Sequence, residues 1–195
     1  GGAGYLGSIL VPMLLEKNYK VHVIDTFYFG KASLEKHFNN PNLKLTEMDV
    51  AHHENIPDLY KEVDTVIHLS GMSNDPSGDL DPNLTIQTNF LATMSLARRA
   101  KVEGVKKFIF ISSCSVYGAS GDKFLDEQSD VGPVTLYALS KLQCENALFP
   151  LADSKFSITS LRFATLFGYS PRMRFDLAVN VMAKRALQGK SILLN

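Results

Sequence analysis

The sequence predicts an α/β protein organised as a doubly wound parallel sheet. Three features carry that expectation. Short apolar runs alternate with amphipathic stretches along the 195 residues. The runs are nearly continuous in Val, Ile, Leu and Phe, as strands covered on both faces are. A glycine-rich turn opens the first helical pattern. In chain order, residues 5–17 bring Leu6, Ile9, Leu10, Met13 and Leu14 to helical spacing. "KVHVIDTF" (residues 20–27), "LKLTEMDV" (43–50), "DTVIHLSG" (64–71), "KKFIFISS" (106–113) and "FSITSLRF" (156–163) read as strands. A long helix begins with Asp81 as N-cap and Pro82 in its first position, and Gly104 ends it. "TLYALSKLQCENALFPL" (135–151) supplies another helix, and "FDLAVNVMAKRALQG" (175–189) a last one that stops at Gly189.

Composition narrows the function classes. Apolar residues make up 45% and charged residues 21%, the balance of an ordinary globular chain. Twenty basic and twenty acidic side chains give a formal net charge of zero, which argues against nucleic acid or an anionic membrane as a partner held by bulk charge. No apolar run approaches the roughly 18 residues that span a bilayer. Cys114 and Cys144 form neither a ligand spacing nor a disulfide framework, so a reducing, cytoplasmic setting is expected. The sequence starts inside a motif and stops in the strand-like run "GKSILLN". A fragment is therefore expected, lacking the strand before Gly1. Residues 1–167 read as one domain and 168–195 as the beginning of a smaller substrate lobe.

The opening "GGAGYLG" satisfies G-x-G-x-x-G through Gly2, Gly4 and Gly7, and G-x-x-G-x-x-G through Gly1, Gly4 and Gly7. Such turns need glycine for a tight bend, for close approach of the backbone to a pyrophosphate, and for close packing of helix on sheet. The helix after the turn then offers free N–H groups to an anion. Asp25 ends the next strand, 18 residues after Gly7, where a carboxylate can accept hydrogen bonds from ribose hydroxyls. The same charge repels a 2′-phosphate, favouring NAD over NADP. A solvated strand-end carboxylate is the plainer alternative.

"SSCSVYG" (112–118) comes directly after an apolar strand, and the carboxyl ends of parallel strands are where such folds carry ligands. Tyr137 and Lys141 are four apart on a helix and share a face. A phenol with a pKa of ~10 is a poor base at neutral pH. A neighbouring ammonium stabilises phenolate and lets the tyrosine exchange a hydroxyl proton with a substrate. Ser113 can hold the same substrate oxygen. An exposed amphipathic pair and a serine-rich turn are the alternatives.

Taken in order, "GGAGYLG", "VIDTFYFG", "MDV", "SSCSVYG", "YALSK" and "LRFATLFG" resemble the extended short-chain dehydrogenase/reductase family, and within it the NAD-dependent nucleotide-sugar epimerase/dehydratase branch. The resemblance covers the whole chain. It implies a Rossmann-type domain holding NAD and a smaller lobe holding a nucleoside-diphosphate sugar. Carried over by motif, Gly1, Gly4, Tyr5, Leu6 and Gly7 meet the pyrophosphate and Asp25 the adenosine ribose. Asp49 and Val50 flank adenine, and Leu69, Ser70 and Gly71 line the cofactor. Tyr137 is implied as the acid/base, Lys141 as its helper on the nicotinamide ribose, and Ser113 as the partner of the substrate oxygen. Asn89 matches a position of structural support. A homodimer through the helices around residues 85–100 and 137–149 is a further family expectation.

Departures bear on the reaction. Sugar 4,6-dehydratases of the family carry an Asp-Glu pair after the catalytic Ser/Thr, where this chain has Cys114 and Ser115. That favours an epimerase of the UDP-glucose 4-epimerase type. A reductase or dehydrogenase, a dehydratase, or a non-catalytic dinucleotide binder are the alternatives. Thr165 stands where the family usually has asparagine. With Ser113, Arg172, Arg174 and Asn180 it completes the substrate-binding candidates. No metal is expected: His52 and His53 are adjacent, and Asp75, Asp79 and Asp81 lack a calcium-loop spacing. His68, in an apolar strand, reads as a packed core residue.

Overall fold

The computed structural model describes residues 1–73, 81–119, 121 and 124–192. Asp75 and Asp79, and the last three residues of "GKSILLN", lie outside them. The chain forms two compact units, one of residues 1–47 and 165–195, the other of residues 48–164.

In the first unit, helix α1 (Gly7–Glu16) is followed by strand β1 (Val21–Asp25), a 3-10 segment (Ala32–His37) and strand β2 (Leu43–Glu47). The strands pair in parallel, Val21 beside Leu43 and Asp25 beside Glu47. Ala3, Val11, Leu15, Val23, Phe27 and Leu34 make the core, so α1, the turn before it and the strand bury one shared apolar surface. A later helix (Ala178–Leu187) closes the unit's elements; Gly189 lies just beyond it with φ +66°, the left-handed conformation that ends helices and that glycine adopts without steric cost.

The second unit carries a three-stranded parallel sheet in the order β3 (Thr65–His68), β4 (Lys107–Ser113), β5 (Ser157–Phe163). Phe108 and Phe110 are fully buried, as expected for a central strand covered on both faces. The expected long helix runs in three parts. Helix α2 (Pro82–Thr85) is capped by Asp81, whose Oδ1 accepts from the Leu84 N–H at 3.0 Å. A π turn (Ile86–Leu91) comes next, then helix α3 (Ala92–Val102). Helix α4 (Leu136–Leu148) begins at Thr135, whose side chain caps the Ala138 N–H. The final helix of the first unit is α5. The run "LKLTEMDV" stops being a strand at Glu47, because the Asp49 carboxylate accepts from the Ala51 N–H at 2.8 Å and starts a helical turn there.

These are parallel sheets with flanking helices, an α/β Rossmann-like fold. No helix among the described residues is long and apolar enough to cross a membrane.

Candidate active site

The glycine turn in the first unit is held by steric demand on two sides. A Cβ on Gly2 would stand 2.8 Å from a Val23 methyl. One on Gly7 would stand 2.6 Å from Gly2 C and Cα, so the first residue of α1 packs directly on the turn's backbone. Gly4 differs. A Cβ there meets only Gly1 O, at 3.4 Å, so nothing in the chain itself demands glycine at that position. Helix α1 starts at Leu6 without a side-chain cap and has no acidic residue in its first turn. An uncapped helix start beside an open glycine suits an anion. Asp25 Oδ2 accepts from the Ala3 N–H at 3.0 Å and Oδ1 from the Phe27 N–H at 2.8 Å. The strand-end carboxylate is thus fastened to the turn itself.

Residues 168–180 meet the turn within the same unit. The Tyr5 hydroxyl donates to Gly168 O at 2.7 Å and accepts from Asn180 Nδ2 at 3.2 Å. Ser170 Oγ donates to Tyr5 O at 2.8 Å. Asn180 Oδ1 accepts from the Gly168 N–H, and Nδ2 also reaches Arg174 O. Asn180 is buried with its amide engaged inside the chain. The Arg172 guanidinium stacks 3.7 Å from the Phe29 ring centroid, Arg174 pairs with Asp176, and Thr165 is exposed.

The second unit gathers the candidate chemistry at the carboxyl end of β4. Ser113 ends the strand, beside Phe163 of β5, with an extended backbone, and it caps the 3-10 turn Cys114–Tyr117. Helix α4 lays Lys141 against the same strand: its Nζ donates to Ile111 O at 2.8 Å and lies 4.8 Å from the Phe110 ring centroid. One turn earlier on α4, the Tyr137 ring centroid is 5.8 Å from that nitrogen. Burial pushes the Lys141 ammonium down to about 8. The amine therefore carries its charge in a nearly dry setting, where a charge acts strongly on neighbouring groups.

Asn89, on the π turn, fixes the loop after β3. Its Oδ1 accepts from the Met72 N–H at 2.7 Å and its Nδ2 donates to Met72 O at 3.1 Å and Ser140 Oγ at 3.3 Å. Gly71 lies under this clamp at φ +151°; a Cβ there would stand 2.9 Å from Asn89 Oδ1 and 3.9 Å from Lys141 Nζ. Leu69 and Ser70 are half-buried, Gly71 is exposed, Asp49 is half-buried and Val50 is buried.

Other candidates resolve into packing. His68 is buried, bonded to Thr93 Oγ1 at 2.8 Å, and burial with Lys141 nearby pushes it down to about 3. His53 is buried between the Tyr60 hydroxyl and Ser95 Oγ, while His52 is exposed.

One cluster was not anticipated from sequence. Glu145, one turn beyond Lys141 on α4, is fully buried and forms a two-pronged pair with Arg162 of β5, the shortest contact being 2.6 Å. Arg162 Nη1 in turn donates to the Tyr117 hydroxyl at 2.9 Å. The spacing of Tyr137, Lys141 and Glu145, each four apart, is the sequence signal that could have found it.

The family model described as "NAD dependent epimerase/dehydratase family" matches residues 1–195. The chain is 30% identical over 181 residues to a UDP-glucose 4-epimerase of Bacillus subtilis (strain 168), covering 89% of this chain and 53% of that protein. It is 28% identical over 201 residues to UDP-glucuronic acid decarboxylase 1 of Xenopus tropicalis, covering 98% and 46%. The chain thus spans about half the length of these curated relatives. Among solved structures, it is similar to a UDP-N-acetylglucosamine 4-epimerase from Methanobrevibacter ruminantium M1 in complex with UDP-N-acetylmuramic acid, with a TM-score of 0.87 and 28% identity over 100% of this chain and 63% of the other. A UDP-glucuronic acid 4-epimerase from Bacillus cereus in complex with NAD gives 0.85 and 26% over 100% and 64%. With the family matched from end to end and the strand-end serine, Tyr-x-x-x-Lys helix and glycine turn all in folded elements, the chain belongs to the NAD-dependent epimerase/dehydratase family.

Proposed function

We propose that this chain is the dinucleotide-binding part of an NAD-dependent enzyme that epimerises a nucleoside-diphosphate sugar through a transient keto intermediate. One observation carries the reading: the hydrogen bond from Lys141 Nζ to Ile111 O holds the Tyr137 helix against the strand that ends in Ser113. The glycine turn supports NAD, since Gly4 leaves the front of the turn open and α1 begins uncapped. Bound NAD supplies the hydride acceptor and donor that make oxidation of the sugar reversible. The rest falls to the chain. Tyr137 takes the proton of the substrate hydroxyl as phenolate supported by the Lys141 ammonium, and returns it once the keto sugar has presented its other face. Ser113 holds the same oxygen while its bonding changes. Gly1, Gly4, Tyr5, Leu6 and Gly7 are assigned to the pyrophosphate, Asp25 to the ribose, and Asp49, Val50, Leu69, Ser70 and Gly71 to the cofactor's remaining surface.

The region from residue 168 begins the sugar-nucleotide lobe in this reading, with Thr165, Arg172, Arg174 and Asn180 as its contributors; the in-chain bonds of Asn180 give it a supporting role there. A homodimer and a cytoplasmic setting complete the proposal, the latter supported by two free thiols. Epimerisation is favoured over dehydration because Cys114 and Ser115 come after Ser113 and neither supplies a carboxylate. The test incubates the full-length protein with NAD and UDP-, GDP-, dTDP- and CDP-sugars, UDP-glucuronic acid included, and reads products by NMR. Inversion at a hydroxyl carbon is expected, with Tyr137→Phe slowing turnover by ~100-fold or more. Release of CO₂ as the main product, or a Tyr137→Phe variant at the parent rate, overturns the assignment.

A further inference from the structure

We infer that Ser115 is a positioning residue, which fixes the direction of the Ser113 hydroxyl so that Ser113 meets the substrate oxygen only as a hydrogen-bond donor. The inference rests on the catalytic reading of Ser113 and adds to it a second residue.

A serine hydroxyl has one proton to donate and two lone pairs that accept. In this structure both arriving hydrogen bonds come from the same residue. The Ser115 backbone N–H reaches Ser113 Oγ at 3.2 Å, and the Ser115 hydroxyl donates to it at 2.8 Å. The first of these is an ordinary cap of the 3-10 turn that begins at Cys114. The second is not needed to start a turn. Together they fill the accepting capacity of Ser113 Oγ and leave its own proton for whatever lies beyond the strand end.

The direction matters because the substrate oxygen changes character during the reaction. As a hydroxyl it can donate or accept; as an alkoxide or a ketone it can only accept. A Ser113 free to accept could turn the substrate O–H toward itself and away from Tyr137, the base that takes the proton. A Ser113 already saturated as acceptor cannot. It donates to the oxygen throughout, and most strongly when negative charge develops there. The substrate O–H is thereby left to point at Tyr137 alone. The side chain at position 115 is consequently spent on Ser113 rather than offered to the substrate as an acid or base of its own.

Ser115 is half-buried and Cys114 between the two is exposed, so the short turn holds residues 113 and 115 on one side and turns the thiol outward. No proton or electron is transferred to Ser115 at any step. It acts by occupying lone pairs.

Four variants of the full-length protein test this: Ser115→Ala, Ser115→Thr, Ser113→Ala and the Ser113→Ala/Ser115→Ala pair. Ser115→Ala keeps the backbone N–H and removes only the second bond. Its kcat is expected to fall ~5–10-fold, the worth of one neutral hydrogen bond. KM for the nucleotide sugar and affinity for NAD should stay at their parent values, and Tm should fall by no more than ~2–4 °C, the cost of one hydrogen bond. Ser115→Thr, which keeps the hydroxyl, should recover most of the rate. Ser113→Ala should cost ~100-fold or more, as loss of a donor to a developing oxyanion does. Adding Ser115→Ala to it should cost nothing further, because the two residues act through one oxygen. If Ser113→Ala cripples turnover while Ser115→Ala runs at the parent rate, or if the two losses multiply, the role of Ser115 is refuted and that of Ser113 stands. If Ser113→Ala is itself silent, the catalytic reading of Ser113 falls and the inference falls with it.

Discussion

Replacing Lys141 by methionine is expected to stabilise the fold at neutral pH while abolishing turnover. A lysine ammonium normally titrates near 10.5, and burial brings this one down to about 8. At roughly 1.4 kcal/mol for each pH unit, the folded chain carries a cost of about 3 kcal/mol for keeping the amine charged. Methionine of similar length removes that cost. It also forfeits the bond to Ile111 O and the contact over Phe110. Those losses amount to about 2 kcal/mol together. A net gain of about 1 kcal/mol remains, a Tm rise of ~2–4 °C for a chain of this size. The sign with pH is the sharper readout. Between about 8 and 10.5 the unfolded lysine holds its proton while the folded one has shed it, so the parent gains stability as pH rises and the variant does not. The advantage of the variant should therefore be full at pH 7 and below, shrink from about pH 8 and vanish at about pH 9, above which the parent is the more stable. Urea unfolding of both proteins across that range gives the difference directly. A gap that stays constant with pH, or a variant less stable at pH 7, would mean that the ammonium is not desolvated as described.

Two further substitutions separate fold from ligand. Gly7→Ala should lower Tm by several degrees because its methyl would sit 2.6 Å from Gly2 Cα, whereas Gly4→Ala should fold normally and lose at least ~10-fold in NAD affinity, read by thermal shift with and without NAD. Glu145→Ala should cost about 3–5 kcal/mol by leaving the Arg162 guanidinium without its buried partner. Burial by itself raises the Glu145 carboxyl, but the Arg162 pair together with hydrogen bonds from Ser112 and Ser160 outweighs it and holds it below its ordinary 4.5. The stability from this pair is therefore complete above pH 4.5 and is lost as pH falls through the lower folded value, a slope that Glu145→Ala should remove.

Most of the architecture was readable in the sequence because burial leaves a periodic trace. The five apolar runs became β1 to β5, and Asp81 and Gly189 stand at helix ends for the capping reasons that mark them in a bare sequence. Local competition was harder to see. Residues 48–50 continue an apolar run, yet one carboxylate–amide bond from Asp49 turns the chain aside. The site residues split in the same way. Ser113, Tyr137 and Lys141 carry a motif, and their elements fold as read. Ser115, and the Glu145–Arg162–Tyr117 chain, act through partners that only folding brings together; Glu145 and Arg162 are 17 positions apart and meet because α4 packs on β4, whose neighbour in the sheet is β5. Gly2, too, owes its identity to a methyl of Val23 that no local spacing announces.

The π turn at Ile86–Leu91 makes chain length itself part of the site. Such a turn is an α-helix with one residue too many, and each added residue rotates the rest of the helix by ~100° about its axis. Asn89, inside the turn, faces Met72, and Thr93, just after it, faces His68, so both contacts depend on the number of residues that separate them from the helix start at Asp81. Deleting any one residue between positions 86 and 91 would restore a regular ladder of hydrogen bonds and throw one of these two contacts out of phase. A descendant of this chain could exchange most side chains along the helix and keep its loop, but shortening the helix by a single step would oblige it to find another way to hold residues 71 and 72.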